Sequence, residues 1–282
     1  VSFIGRAAPA KRIGPPQSFL LYGDTGTRKT SAIGELVKRG FFKKVLILNL
    51  DNSVEVLGND PEVMAAIEDG RITIIDINPL DMGSRIEVEN IVLEVCGMWR
   101  NASGDILPNP NIPDFGYDLL VIDTVNLLHE IALKQFMATT YNDAGTKLDG
   151  QGAYAKIAVW DDEILRTIHN SKRVTGGFLM HAKTVEDKTG SVKIKPKLSG
   201  SYKDSIGSLP SIVAYLDWQK SPETGLNVLT ATVGESDIYE SKNRYALPPK
   251  IFDFNLADVY QTIADKAAAP AVAPATTAAV AA

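Results

Sequence analysis

The stretch that most limits the possible folds is "LLYGDTGTRKTSAIGEL", residues 20 to 36. An apolar run ends at Gly23, a short polar turn follows, and a helical pattern begins around Lys29-Thr30-Ser31. A turn of the form G-x-x-x-x-G-K-[ST] between a strand and a helix cradles phosphate. Its backbone N–H groups face the anion, the lysine reaches the outer oxygens, and the hydroxyl takes a divalent cation. Here the turn reads Gly23-Asp24-Thr25-Gly26-Thr27-Arg28-Lys29-Thr30, with arginine where the pattern has its second glycine. Arg28 opens the helix, where right-handed dihedrals suit any L-residue. The expected cost is therefore crowding near the phosphates, not backbone conformation. The plainer reading is a glycine-rich turn with no ligand.

The rest of the chain supports the setting such a turn needs. Residues 18–22, 44–50, 71–77, 117–123 and 176–182 are short runs apolar on both faces, as parallel strands covered by helices are. Helical patterns lie between them at 31–39, 62–68, 85–99, 125–138 and 154–170. This alternation predicts an α/β fold with a mainly parallel sheet flanked by helices. After Ala182 the pattern changes to "TVEDKTGSVKIKP", "SIVAYLDWQ" and "LNVLTATV", separated by turn residues, and reads as antiparallel strands added at the C-terminal edge. The expected division is an N-terminal extension (1–16), one ATPase-like domain (17–265) and a disordered Ala/Pro-rich tail (266–282).

Three further residues fall at strand ends. "DLLVID" places Asp123 at the tip of a buried strand, where a carboxylate can hold Mg²⁺ through water or simply cap the next helix. Asp51, ending "VLILNLD", is the candidate for orienting an attacking water, with Glu55 next; Asp51 could equally cap the segment after it. His181, ending "GGFLMH", could bond a γ-phosphate or serve structure alone. With Lys29 and Thr30, these residues make the chain a P-loop NTPase by sequence, with Gly23 to Ser31 as the nucleotide-binding segment and ATP and Mg²⁺ as the expected cofactors.

Bulk properties narrow the partners. A net charge of −5 provides no overall field for nucleic acid, so any such contact needs a local basic patch. Cys96 is the only cysteine, which excludes an intrachain disulfide and suits a reducing cytoplasm as a small core residue. No apolar run approaches the roughly 18 residues of a membrane span. The N-terminal stretch does not read as a signal peptide. His129 and His169 fall in helical patterns and suggest no function.

Taken together, "LYGDTGTRKTS", "VLILNLD", "DLLVIDT", "FLMHAKT" and "IYESKNRYALP" resemble the RecA-like ATPases, especially short phage-encoded annealing or recombinase-core proteins. The resemblance runs from about Ser18 to Phe254. It implies ATP hydrolysis with Asp51 activating water (where RecA itself has glutamate) and His181 sensing nucleotide. It also implies ring or filament assembly, with Lys242 or Arg244 reaching a neighbour's γ-phosphate; the plainer reading is a surface pair. Two loops of such proteins touch single-stranded DNA, and here they correspond to residues 139–152 and 183–203. The second carries Lys183, Lys188, Lys193, Lys195, Lys197 and Lys203 against Glu186 and Asp187, with Tyr202 as a stacking surface. Such a stripe suits a phosphate backbone, or merely guards an exposed hairpin from aggregation. The first expectation is thus a DNA-stimulated ATPase of phage recombination or replication. The second is a nucleotide-dependent switch or motor subunit with a protein partner and no DNA. A small-molecule kinase is a third, weakened by the lack of an arginine-rich lid.

Overall fold

The structure, a computed structural model, describes residues 15–81, 83–139, 150–186, 190–198 and 206–268. The expected extension up to Gly14, the loop 140–149, Lys188, Tyr202, Lys203 and the tail from residue 269 lie outside the described residues.

The strands are β1 (Ser18–Gly23), β2 (Val45–Asn49), β3 (Ile72–Asp76), β4 (Met98–Arg100), β5 (Ile106–Pro108), β6 (Leu119–Asp123), β7 (Thr175–Glu186), β8 (Val192–Pro196), β9 (Ile212–Lys220), β10 (Asn227–Thr232), β11 (Lys242–Asn243) and β12 (Lys250–Phe252). The helices are α1 (Lys29–Lys38), α2 (Pro61–Glu68), α3 (Ser84–Cys96), α4 (Val125–Thr139), α5 (Gly150–His169) and α6 (Leu256–Ala268). The main sheet runs β12-β10-β9-β1-β7-β6-β2-β3, with β11 on β9 and β8 on β7. From β9 to β3 every pairing is parallel; β10, β12, β11 and β8 join antiparallel. Strands β4 and β5 form a separate hairpin.

The expected α/β class is the one adopted, with a correction at β9. "SIVAYLDWQ" was expected as an antiparallel edge strand; β9 instead pairs parallel with β1 and is covered on both sides of the sheet. Its first five residues are all buried, as an inner strand requires. Alternation in β1 shows how the layers form. Phe19 and Leu21 face the core shared with α1, α2 and α6, whereas Leu20 and Tyr22 face that of α3, α4 and α5. Each fully buried side chain of this size contributes about 1.5–3 kcal/mol.

Local chemistry sets the helix ends. Asp60 caps α2 by accepting the Glu62 and Val63 N–H groups at 3.0 and 3.3 Å, with Pro61 at the first helical position. Gly97 closes α3 in the left-handed region. Helix α6 carries the first three residues of the expected tail, Lys266 to Ala268, and inserts Val259, Tyr260 and Ile263 into the core.

His129 and His169, to which the sequence assigned no function, each make a buried contact. His129 Nδ1 lies 2.6 Å from Asp161 Oδ2, joining α4 to α5 in the interior, and His169 Nδ1 lies 2.6 Å from Ser18 Oγ. Burial raises the Asp161 carboxyl pKa, opposed by His129. Cys96 is buried, its thiol pushed up to about 11 by burial. Among the described residues, no helix is long and apolar enough to cross a membrane.

Candidate nucleotide-binding site

Parallel strands deliver their carboxyl ends to one edge, and β1, β7, β6 and β2 bring the candidate residues there side by side. The register pairs Gly23 with His181, and Asn49 with Asp123. Gly23 is demanded by space: a Cβ there would meet the Leu216 carbonyl oxygen of β9 at 2.4 Å. Gly26 has φ 84°, a conformation glycine adopts freely.

Lys29 folds back over the turn. Its Nζ donates to the Gly23 and Asp24 carbonyls at 3.0 and 2.8 Å and to Thr27 Oγ1 at 3.2 Å. Burial lowers its pKa, opposed by Asp123, Asp24 and Asp51. Thr30 Oγ1 donates to Asp123 Oδ2 at 2.7 Å, and Ser53 Oγ donates to the same oxygen at 2.6 Å. Burial raises the Asp123 pKa, with the Ser53 and Thr30 hydroxyls opposing and Asp51 adding to the rise. Asp51 takes the capping role, Oδ1 accepting the Ser53 N–H at 3.0 Å, while its other oxygen, Oδ2, lies 3.8 Å from His181 Nε2. That contact is not an ion pair at neutral pH. Burial, then Lys29, lowers the His181 pKa despite Asp51, so the imidazole is neutral. Glu55 is exposed on the turn Ser53–Asn59.

The expectation for Arg28 is overturned. It adopts φ 55° and ψ 28°, the left-handed region, while its carbonyl accepts the first helical bond from the Ala32 N–H. The turn still needs the conformation that glycine would supply, and an L-residue there costs about 1–3 kcal/mol. Its guanidinium lies over the ring of Trp218 of β9, 5.2 Å from the ring centre. Trp218 also donates from Nε1 to the Gly26 carbonyl at 3.2 Å. Arg28, Ser31, Trp218, Leu229 and Asp253 border a hollow of about 520 Å³ beside the turn, with room for a ring system. A hollow of about 540 Å³ between Arg85, Phe136, Val159 and Trp160 is lined by none of the edge residues.

Sequence reasoning missed Ser53, Trp218 and Asn126, whose Oδ1 accepts the His181 N–H at 3.1 Å. None stands in a motif; only the folded edge brings them in. The residues also fit a hard cation. A buried carboxylate with two hydroxyls on one oxygen is an oxygen donor set, and buried Thr124 Oγ1 beside it has no partner among the described residues.

The other candidates lie apart. In β8 and its flank, Lys193 is exposed, Lys195 Nζ is 3.9 Å from Glu240, and Lys197 Nζ is 3.8 Å from Glu130. Lys183, directly opposite Lys195, donates to the Leu198 carbonyl. Lys242 and Arg244 lie toward the opposite edge of the sheet, because Lys242 pairs with Val213 at the start of β9. At about 3.3 Å per residue they are roughly 10 Å or more down the strand from the turn.

This geometry defines a P-loop nucleotide-binding ATPase domain. The sequence profile of the AAA domain matches residues 15–245, and the chain belongs to that family. None of the curated proteins compared matches it. Among solved structures it is similar to the flagellar accessory protein FlaH of Methanocaldococcus jannaschii (11% identity, 86% of this chain and 88% of that one, TM-score 0.43). It is likewise similar to the RadB recombinase (12% identity, 84% and 87%, TM-score 0.44). The ATPase EscN of the enteropathogenic E. coli type III secretion system is similar at 12% identity over 71% of this chain and 43% of that one, with TM-score 0.38. Likenesses this remote say nothing about activity.

Proposed function

We propose that the chain binds ATP and hydrolyses it as a RecA-like motor acting on single-stranded DNA in phage recombination or replication. The observation that carries the hydrolytic reading is the meeting of Lys29, the Thr30–Asp123 pair, Asp51 and His181 at one strand edge. The turn from Gly23 to Ser31 holds the phosphates, and Lys29 exchanges its carbonyl partners for phosphate oxygens. Thr30, and Asp123 through water, would hold Mg²⁺, which when bound neutralises phosphate charge. Asp51 orients the attacking water with its Oδ2, and neutral His181 donates to a γ-phosphate oxygen or accepts from the attacking water. Lys242 and Arg244 lie well down the strand from this chain's own turn, which suits delivery to a neighbour's nucleotide in a ring or filament.

The DNA half is supported by Lys183 and Lys195 standing directly opposite each other, a like-charge pair that an anionic backbone would relieve. A second reading, a switch or motor subunit with a protein partner and no DNA, is favoured by the partners Lys183, Lys195 and Lys197 already have. ATP turnover with and without single-stranded DNA tests both readings, with Lys29→Ala as control. Lysine-dependent turnover raised by DNA supports the first, and turnover indifferent to DNA supports the second. Full per-subunit activity in Lys242→Ala/Arg244→Ala would refute the trans-acting cations.

A further inference from the structure

The substitution of arginine for glycine in the phosphate turn is matched by a feature of another strand. Arg28 holds a left-handed backbone conformation that disfavours a side chain. One residue, Trp218, meets the turn at two points on either side of Thr27: its ring lies under the Arg28 guanidinium and its Nε1 donates to the Gly26 carbonyl. Trp218 can do so because β9 runs parallel to β1 in fixed register, Gly23 opposite Leu216. Two residues further on, Trp218 emerges on the same face as Leu216, the α1 face of the sheet. Its backbone is held from the other side by pairing with Leu229 of β10. Trp218 remains 41% exposed, so core packing does not account for a large aromatic here.

We propose that Trp218 is a positioning residue for the phosphate turn. It holds the Arg28 side chain over its ring and pins the Gly26 carbonyl, keeping in this chain the turn shape that a second glycine would otherwise allow. The proposal rests on the nucleotide-binding reading for its consequence, but the coupling it asserts belongs to the protein alone.

A double-mutant cycle on the full chain tests it, using Trp218→Ala, Arg28→Gly and the pair, with Trp218→Phe and Lys29→Ala as references. Titration with MgATP is expected to show Trp218→Ala binding about 10-fold more weakly, equivalent to about 1.4 kcal/mol. Trp218→Phe, which keeps the stack and loses the donor, is expected to fall about 3-fold. Once Arg28→Gly has removed the strained side chain, Trp218→Ala is expected to cost less than about 2-fold. An equal loss in both backgrounds would overturn the proposal, because Trp218 would then act independently of Arg28. No loss in either would overturn it as well. Urea unfolding of the wild type, the two single variants and the pair without nucleotide provides the separate arm. The two substitutions should be non-additive by about 5-fold in the unfolding equilibrium constant, and additivity sinks the proposal whether or not any form binds ATP. MgATP binding that is absent throughout, or unchanged by Lys29→Ala, condemns instead the nucleotide reading.

Discussion

Strand β7 borders two cationic regions that differ in how firmly they are built. At His181 it borders the phosphate turn, where Lys29 makes three bonds of 2.8–3.2 Å inside a buried frame. A few residues on, from Lys183, it enters the hairpin with β8, where Lys195 and Lys197 stand 3.9 and 3.8 Å from their carboxylates and Lys193 is exposed. The first is a buried arrangement in which the lysine is held by short hydrogen bonds. The second is a charged surface whose ion pairs are loose, the sort worth about 0–1 kcal/mol. Buried polar groups commit a region to one geometry, because leaving any of them unpaired is costly. Solvated lysines carry no such commitment and can change partners.

The sharpest way to break this contrast is Lys29→Ala. Turnover is expected to fall about 100- to 1,000-fold with the fold retained by circular dichroism, and an unchanged rate would place the chemistry elsewhere. Next is Asp123. Asp123→Asn keeps a carbonyl acceptor for Thr30 or Ser53, so urea unfolding should shift by less than about 1 kcal/mol while turnover drops about 100-fold. Asp123→Ala leaves both hydroxyls without that acceptor and should cost roughly 2 kcal/mol of stability. In the hairpin, Lys193→Ala/Lys195→Ala should leave DNA-free turnover unchanged. If DNA binds there, the salt dependence of binding should flatten by about 0.7 for each phosphate-bound lysine replaced. The same slope in both proteins would favour a protein partner.

The smallest effect concerns pH. Burial lowers the His181 pKa, so below about 6.5, where an unfolded histidine titrates, the unfolded chain binds more protons than the folded one. Stability therefore rises with pH through the window between the folded value and about 6.5. His181→Ala should flatten that rise by less than about 1 kcal/mol in thermal melts from pH 5 to 7.5, while the similarly lowered His169 retains its share.

The strands β1, β2, β6 and the first half of β7 were legible because strands buried on both faces must be apolar throughout, whatever their neighbours, and β3, half-buried at the end of the sheet, from its isoleucines. Strand β9 was legible as a strand but not in its direction, since an apolar run looks the same whether its partner is parallel or antiparallel. Asp51 illustrates a different limit. Its place at the end of β2 followed from the pattern, but its role did not; it caps, with its other oxygen 3.8 Å from His181 Nε2.

The sequence by itself determined the strand–turn–helix unit and the residues at the carboxyl edge, because periodicity and short motifs are local properties of the chain. Only the tertiary structure decided the conformation of Arg28, the convergence of Ser53 and Thr30 on Asp123, and the role open to Trp218. Those depend on which strands become neighbours, and Trp218 lies 190 residues from Arg28 along the chain. A side chain's partner at that separation is set by sheet order and register, which no local pattern encodes.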